Sequence, residues 1–289
     1  MNRILFKAIV IFWKFLMELP FFIQKILSNL IGVSFFLIPN NRKKFALKNI
    51  ELCFKDHSND EIKKIFNKKI ISSGKIYFYT GMAWFWSKER LNKNLQYKIN
   101  GLDKLIEEQN QKNGVILFFK HSHHLELDSR ILGMHCELYG VQRDHNSSFF
   151  QNIQTTGRLN GLKGICDRNN VINFMRWLKK GKTVLYATDQ DYGAKKSNVL
   201  SFFNQQCSTI SAPAKIIKSS KCKIYFFNSY FEEENLVLDV EELRISSFDA
   251  QKFSQELNNL IEDKIRKHPH EYLWQHRRFK STLGKEFYR

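Results

Sequence analysis

Between residues 115 and 187 the chain alternates short apolar runs with helical stretches, and this alternation restricts its fold more than any other feature. Val115–Phe119 is an apolar run, residues 125–134 read as a helix, 138–142 form a second short run, a helix surrounds 171–180, and Thr183–Ala187 is again apolar. Strand, helix, strand, helix, strand is the pattern of an α/β domain. Gly181, directly after Lys179 and Lys180, supplies a helix stop, with basic residues in the last turn and glycine just beyond. Downstream, residues 223–230 and 235–240 predict a hairpin across Phe-Glu-Glu-Glu-Asn, and Ala250–Lys267 predicts a final amphipathic helix. Upstream, residues 48–66 and 69–87 read as two helices. The aromatics of the second (IYFYTGMAWFW) are too dense for a solvated face, so it faces either a core or a membrane. A chain of 289 residues accommodates one catalytic domain plus an appendage.

The appendage is N-terminal. Residues 4–39 are mostly apolar, interrupted by Lys7, Lys14, Glu18 and Lys25. The longest uncharged run, 26–41, is about two residues short of a spanning helix. No small-residue cleavage site follows, so the segment is expected to be retained. Pro20 divides it into two helical pieces, whose lysines can snorkel while the aromatics sink into the acyl boundary. Arg42, Lys43 and Lys44 follow, which places positive charge beside the membrane and the rest of the chain on the cytoplasmic side. The expected organisation is therefore a membrane anchor of interfacial helices over residues 1–41 and a catalytic domain over 42–289. A buried core helix and a single spanning helix are the competing readings of the first segment.

Lys and Arg number 46 against 28 Asp and Glu, a net charge of +18, and 26 Phe with 5 Trp supply much of the aromatic content. Such a chain suits an anionic partner, whether nucleic acid, acidic lipid or acidic protein. A compositionally biased genome would leave the same abundance of Lys, Asn, Ile and Phe. No RNP-like, zinc-finger or helix-turn-helix signature is present, so nucleic acid is not the expected partner. The five cysteines are scattered without a C-x-x-C pair, which suggests neither a disulfide framework nor a structural zinc site.

The chemistry is concentrated in HSHHLELD, residues 121–128, immediately after the run VILFFK. Polar groups at the carboxyl end of a strand sit where open α/β sheets place their ligands. A metal site of the H-E-x-x-H kind needs two histidines at i and i+4, and that spacing is absent. An acid/base site needs an imidazole to take a proton and a carboxylate to hold it in the right tautomer. Two overlapping pairs meet that need, His121 with Glu126 and His123 with Asp128. Spacing does not separate them, although His121 lies nearer the strand end. Polar residues capping a helix start would account for Ser122 and one histidine, but not for three histidines followed by two acids.

His-x-x-x-x-Asp/Glu after a strand resembles the glycerolipid acyltransferase superfamily, and the flanking sequence is similar to the lipid A biosynthesis late acyltransferases, the lauroyl and myristoyl transferases of Gram-negative bacteria. The matching stretches are NIELCF (49–54), GMAWFW (81–86), HSHHLEL with RILGMH (121–135), GRL (157–159), DR (167–168), LKKG (178–181), DQDYG (189–193) and HRRFK (276–280). They are collinear and cover nearly the whole chain. The resemblance implies an αβα sandwich around a mainly parallel or mixed sheet, with a membrane-associated N-terminal segment at the bacterial inner membrane. It makes His121 and Glu126 the dyad and leaves Asp128 where relatives can carry glycine. His123 and His124 depart from the apolar or small residues commoner there.

The activity implied is transfer of a lauroyl-like chain from acyl carrier protein, an acidic donor, to the 3-hydroxyl of a hydroxyacyl chain on a Kdo-lipid IVA type precursor. Neither cofactor nor metal is called for. In that scheme His121, oriented by Glu126, is the base. Arg143 and Arg158 are candidates for stabilising the thioester oxyanion or binding substrate phosphate. Asp189 and Asp191 belong either to a loop near the site, with Asp189 then expected to bind substrate, or to a polar turn ending at Gly193. Arg277 and Arg278, beside Trp274, His276 and Lys280, suit a membrane interface or a phosphorylated sugar, with a solvated basic tail as the competing reading. The rival functions are a lipid hydrolase on the same scaffold, with water in place of the alcohol, and a basic nucleic-acid-binding protein.

Overall fold

A computed structural model describes residues 3–145 and 147–289. The chain begins with four helices, α1 (Arg3–Glu18), α2 (Phe21–Ser34), α3 (Asn41–Cys53) and α4 (Asn59–Phe85), followed by the short α5 (Lys88–Asn94). The α/β part runs β1 (Tyr97–Asn100), α6 (Leu102–Asn110), β2 (Val115–Phe119), α7 (Leu125–Leu132), β3 (Tyr139–Gln142), α8 (Ser148–Arg158), β4 (Gly164–Asp167), α9 (Val171–Lys179) and β5 (Thr183–Ala187). Then come β6 (Ser197–Phe202), β7 (Gln205–Ile210), α10 (Ala212–Ser220), β8 (Lys223–Glu232), β9 (Asn235–Glu242), α11 (Ala250–Lys267) and a final turn, α12 (Lys280–Leu283).

Seven strands form one sheet in the order β1-β9-β8-β2-β5-β3-β4, and β6 pairs only with β7. β8, β2, β5, β3 and β4 run parallel, while β9 returns antiparallel to β8 and β1 follows it. The sheet is thus mainly parallel, and the expected hairpin is β8–β9, turning at Glu233 and Glu234. Strand alternation feeds two apolar layers. Ile116, Phe118, Val184, Tyr186 and Phe226 pack towards α9, α10 and α11, and Val115, Leu117, Leu185, Tyr225 and Phe227 towards α4 and α7. Helices on both faces are what a parallel sheet requires.

One helix boundary and one hairpin differ from expectation. The helices read as 48–66 and 69–87 are in fact α3, ending at Cys53, and a 27-residue α4. The break falls at 54–58 because Ser58 and Glu61 form a capping box there, with Ser58 N–H donating to Glu61 Oε2 (2.8 Å) and Glu61 N–H to Ser58 Oγ (3.3 Å). Nothing at 67–68 interrupts the helix. The β6–β7 hairpin, turning at Phe203 and Asn204 in left-handed conformations, was not legible in the apolar pattern.

Pro20 separates α1 from α2 as expected, and both dock on α4. A Cβ added to Gly74 of α4 would lie 2.2 Å from the Ser28 carbonyl, and one on Gly32 of α2 would lie 2.1 Å from the Ile71 carbonyl, so these helices touch backbone to backbone. Their outer faces leave Ile11, Phe12, Phe15, Phe22, Ile26 and Leu30 more than half exposed. Among the described residues no helix is long and apolar enough to cross a membrane.

Candidate active site

β2 and β5 are neighbours in register, with Phe119 opposite Ala187 at their carboxyl ends. The chain leaves each strand for two more residues, and His121 and Asp189 then face each other. Asp189 accepts from the His121 backbone N–H (2.7 Å) and sits 2.6 Å from His121 Nδ1. Asp189 is buried and His121 is 19% exposed. Burial works to raise the Asp189 pKa, but the His121 imidazole beside it, both His121 hydrogen bonds and the Arg278 charge together lower it to about 2. An ionised carboxylate at Nδ1 fixes the tautomer with the proton on Nδ1 and leaves Nε2 as an acceptor.

The loop carrying His121 is tied along its length. Leu273 N–H donates to the His121 carbonyl (3.1 Å), His123 N–H to the Glu271 carbonyl (3.1 Å), and Ser122 bridges Tyr272. Tyr272 Oη donates to the Asp189 carbonyl (3.2 Å), so one segment braces both halves of the pair. Asn49 of α3 in turn donates to the carbonyls of Trp274 (2.8 Å) and His276 (2.7 Å).

Glu126, in the first turn of α7, does not make the hydrogen bond expected of it. The carboxylate at the His121 ring is Asp189, because Glu126 is held elsewhere. Trp84 Nε1 donates to it (2.9 Å), Arg158 Nε lies 3.1 Å from both its oxygens, and Arg158 Nη2 completes a bidentate pair. Burial pushes its pKa up, but the Arg158 charge and hydrogen bonds, the Trp84 bond and the His121 field hold it below the usual carboxylate range. Arg158 Nη1 also donates to Gln142 Oε1 (2.7 Å), so its fork is occupied by protein partners.

His121, Glu126, Arg158 and Trp84 all line one cleft of about 740 Å³ at the carboxyl ends of β2, β5, β3 and β4. Its walls combine apolar groups, among them Phe119, Leu162, Ile165 and Phe174, with a basic side formed by Arg143, Arg168, Lys196 and Lys215. Size and mixture suit a ligand with a long apolar part and an anionic end. Asp191 also lines the cleft. It accepts from Ser281 N–H and Gly193 N–H, and its own N–H donates to His276 Nε2 (2.9 Å). His276 faces the cleft too, and burial, with the His121 field, lowers its pKa to about 4, so it is a neutral group.

Arg277 and Arg278 lie outside the cleft lining. Arg277 stacks over Phe45 at 5.4 Å. Arg278 is buried and donates to the Ser208 carbonyl and Thr209 Oγ1 (2.8 Å), tying the C-terminal segment to β7. Of the HRRFK residues it is His276 that reaches the cleft, and the charges that drew notice in the sequence were a signal for its neighbours. Trp84, Gln142 and Arg168 also belong to the cleft and were not singled out. The only mark on Trp84 was its place in the aromatic GMAWFW run.

The second pair, His123 with Asp128, does not form. His124 takes that place. Its Nδ1 donates to Asp128 (2.7 Å) and its Nε2 to Glu271 (3.4 Å), both buried, and Asp128 also accepts from Ser229 Oγ (2.6 Å) and Ser122 Oγ (3.1 Å). Burial opposes charge on His124, yet Asp128 and Glu271 outweigh it and raise its pKa to about 9. His123 stacks on Tyr79 and is kept neutral by burial and the adjacent His124 charge. Neither imidazole lines the cleft. Among the described residues no group of three or more His, Cys, Asp or Glu side chains is placed to hold a metal ion.

The sequence profile of the bacterial lipid A biosynthesis acyltransferases matches residues 1–281. The chain is 32% identical over 268 residues to the lipid A biosynthesis palmitoleoyltransferase of Escherichia coli (strain K12), covering 91% of this chain and 87% of that one. It is 32% identical over 245 residues to the lipid A biosynthesis lauroyltransferase of the same organism, covering 83% and 79%. A lipid A biosynthesis acyltransferase of Haemophilus influenzae is 31% identical over 284 residues, covering 94% and 89%.

Proposed function

This chain belongs to the bacterial lipid A biosynthesis acyltransferase family, and on that premise we propose that it transfers a lauroyl-like acyl chain from acyl carrier protein to the 3-hydroxyl of a hydroxyacyl chain on a Kdo-lipid IVA type precursor. The observation that carries the reading is the His121–Asp189 pair at the head of a cleft that is apolar on one wall and basic on another.

A secondary alcohol is scarcely ionised near neutral pH, so a base that removes its proton as the new bond forms supplies typically ~10²–10⁴-fold. His121 Nε2 accepts that proton, and Asp189 stabilises the imidazolium. The alkoxide oxygen bonds to the thioester carbonyl carbon, the tetrahedral intermediate expels the thiolate, and His121 returns the proton to sulphur. Products are an acyloxyacyl ester and a free thiol. Glu126, ionised and held in place by Arg158, lines the cleft beside His121 as the second acidic group of the site. Arg143, exposed in the cleft lining and, among the described residues, not paired with a carboxylate, is the better placed of the two arginines to meet an oxyanion or phosphate.

The net charge of +18 suits both an acidic carrier protein and anionic lipid. The outward apolar residues of α1 and α2, with Lys7, Lys14, Arg42, Lys43 and Lys44 beside them, support attachment to the cytoplasmic face of the inner membrane by interfacial helices.

The test is mass spectrometry of a lipid A precursor incubated with the protein and acyl-carrier-protein thioesters of several lengths. A gain of one acyl group, absent with His121→Ala, is expected, and the preferred thioester names the chain. Release of free fatty acid without an acylated lipid would overturn the transfer in favour of hydrolysis.

A further inference from the structure

The N-terminal helix packs against Trp84, which donates to Glu126, and against the start of α8, the helix whose last residue is Arg158. Phe6, Val10, Trp13 and Met17 recur at three- and four-residue spacing and form the inner face of α1. Trp13 stacks edge-on against Trp84 with ring centres 5.6 Å apart, and donates through Nε1 to the Tyr77 carbonyl (3.0 Å). Trp84 is the residue whose indole N–H reaches Glu126. Trp84 is also in close contact with α8, where a Cβ on Gly157 would lie 2.3 Å from its ring, so both α1 and α8 bear on the indole. Phe6 meets Phe149 at 5.0 Å and Phe150 at 6.2 Å, at the start of α8, and the far end of α8 carries Arg158. Phe150 also approaches Trp84 at 6.3 Å.

Glu126 is therefore gripped by α4 and α8, and α1 rests on both grips. The outward side of the same helix exposes Ile11, Phe12 and Phe15, with Lys7 and Lys14 at its edge, the Lys14 ammonium lying 5.4 Å from the Phe85 ring centre. Apolar side chains flanked by lysine on a helix lacking the length to span a bilayer suit an anionic lipid surface. We propose that a lipid surface seated on the outer face of α1 sets the position of the Glu126 carboxylate, with Trp13 and Phe6 as the positioning residues on the inner face. The proposal rests on the reading that Glu126 works in acyl transfer. It goes beyond that reading by making the anchor a part of the catalytic wall and not a tether alone.

Rotating or lifting α1 withdraws support from Trp84 and from the first turn of α8 together. Displacement of a catalytic group by ~1 Å can cost up to ~10²-fold in rate. Trp13→Ala is expected to lower kcat by at least about tenfold with little change in the KM for the acyl donor, whereas Trp13→Phe, which keeps a ring against Trp84, restores most of it. Phe12→Ser, on the outer face, is expected to weaken binding to vesicles of phosphatidylethanolamine and phosphatidylglycerol while leaving kcat on detergent-dispersed acceptor unchanged.

The coupling is read independently of activity by amide hydrogen exchange over residues 147–158. The same vesicles are expected to slow exchange there in the parent protein and to have no such effect in Trp13→Ala or Phe6→Ala. An unchanged kcat in Trp13→Ala, or exchange in α8 that ignores vesicles in the parent, overturns the proposal. Full activity of Glu126→Gln sinks the catalytic reading instead, and is distinguished because the vesicle-dependent exchange would then persist.

Discussion

His121 and Asp189 are 68 residues apart in sequence, yet each stands two residues beyond a pair of facing positions, Phe119 and Ala187, at the ends of adjacent parallel strands. The sheet register itself brings imidazole and carboxylate to 2.6 Å, with the His121 backbone N–H as a second tie. Because Asp189 is ionised and buried, it holds one tautomer of His121 before any substrate arrives.

Asp189→Asn keeps the shape of that contact and removes the charge. The amide does not stabilise the imidazolium and can favour the wrong tautomer, so kcat for acyl transfer is expected to fall by about 10²–10⁴-fold with KM little altered. Steady-state kinetics checks this, and an Asp189→Asn enzyme with parental kcat would remove Asp189 from the mechanism.

Arg158→Ala removes the ion-pair partner of the Glu126 carboxylate and leaves it the Trp84 hydrogen bond. Breaking one side of a buried ion pair costs about 3–5 kcal/mol, and the fifth or so of each side chain still exposed moves the expected loss to about 2–3 kcal/mol. Chemical denaturation measures it. The double variant Glu126→Gln with Arg158→Met is expected to recover most of the stability and none of the activity, separating the structural from the catalytic part of the pair.

Two histidines contribute opposite pH dependences to stability, one on each side of pH 6.5. His124 has its folded pKa raised to about 9 from an ordinary 6.5, so its contribution is complete below 6.5 and is lost as pH rises through 9. His276 has its folded pKa lowered to about 4, so its contribution is complete above 6.5 and is lost as pH falls towards 4. Asp189 adds a more acidic loss, as pH falls from 3.8 through about 2. Lys69, whose pKa burial lowers to about 7, works against the His124 loss at alkaline pH, so the reading is the difference from the parent: thermal melts should show His124→Gln removing a loss between pH 6.5 and 9 and His276→Gln one between 6.5 and 4. A curve unchanged by either substitution would contradict both assignments.

Gly157→Ala places a methyl group in the Trp84 ring, which is itself wedged against Trp13. Overpacking of this kind costs typically ~1–3 kcal/mol. Since the displaced indole is a donor to Glu126, kcat should drop along with the melting temperature. Parental kcat in a destabilised Gly157→Ala protein would show that the Trp84 bond does not matter to turnover.

Much of the architecture was legible because its signals are local. The Val115–Phe119 and Thr183–Ala187 strands, the Ala250–Lys267 helix, the Glu-rich hairpin and the helix break at Pro20 each follow from a short apolar pattern or a single backbone constraint, and all lie where expected. The α3–α4 boundary was missed because it is set by a capping box, Ser58 with Glu61, and not by a break in the apolar pattern. The β6–β7 hairpin was missed because its turn uses Phe203 and Asn204, with no glycine to mark it.

By itself the sequence determined the α/β layering, the place of His121 at a strand's carboxyl end and, through its collinear motifs, the family. Only the tertiary structure decided which side chains meet. A gap of four residues after a histidine nominated Glu126 for His121 and Asp128 for His123, but the start of α7 turns Glu126 to Trp84 and Arg158, and Asp128 to His124. The carboxylate at His121 arrives instead from the neighbouring strand, and strand adjacency is a long-range hydrogen-bonding choice that no local pattern encodes.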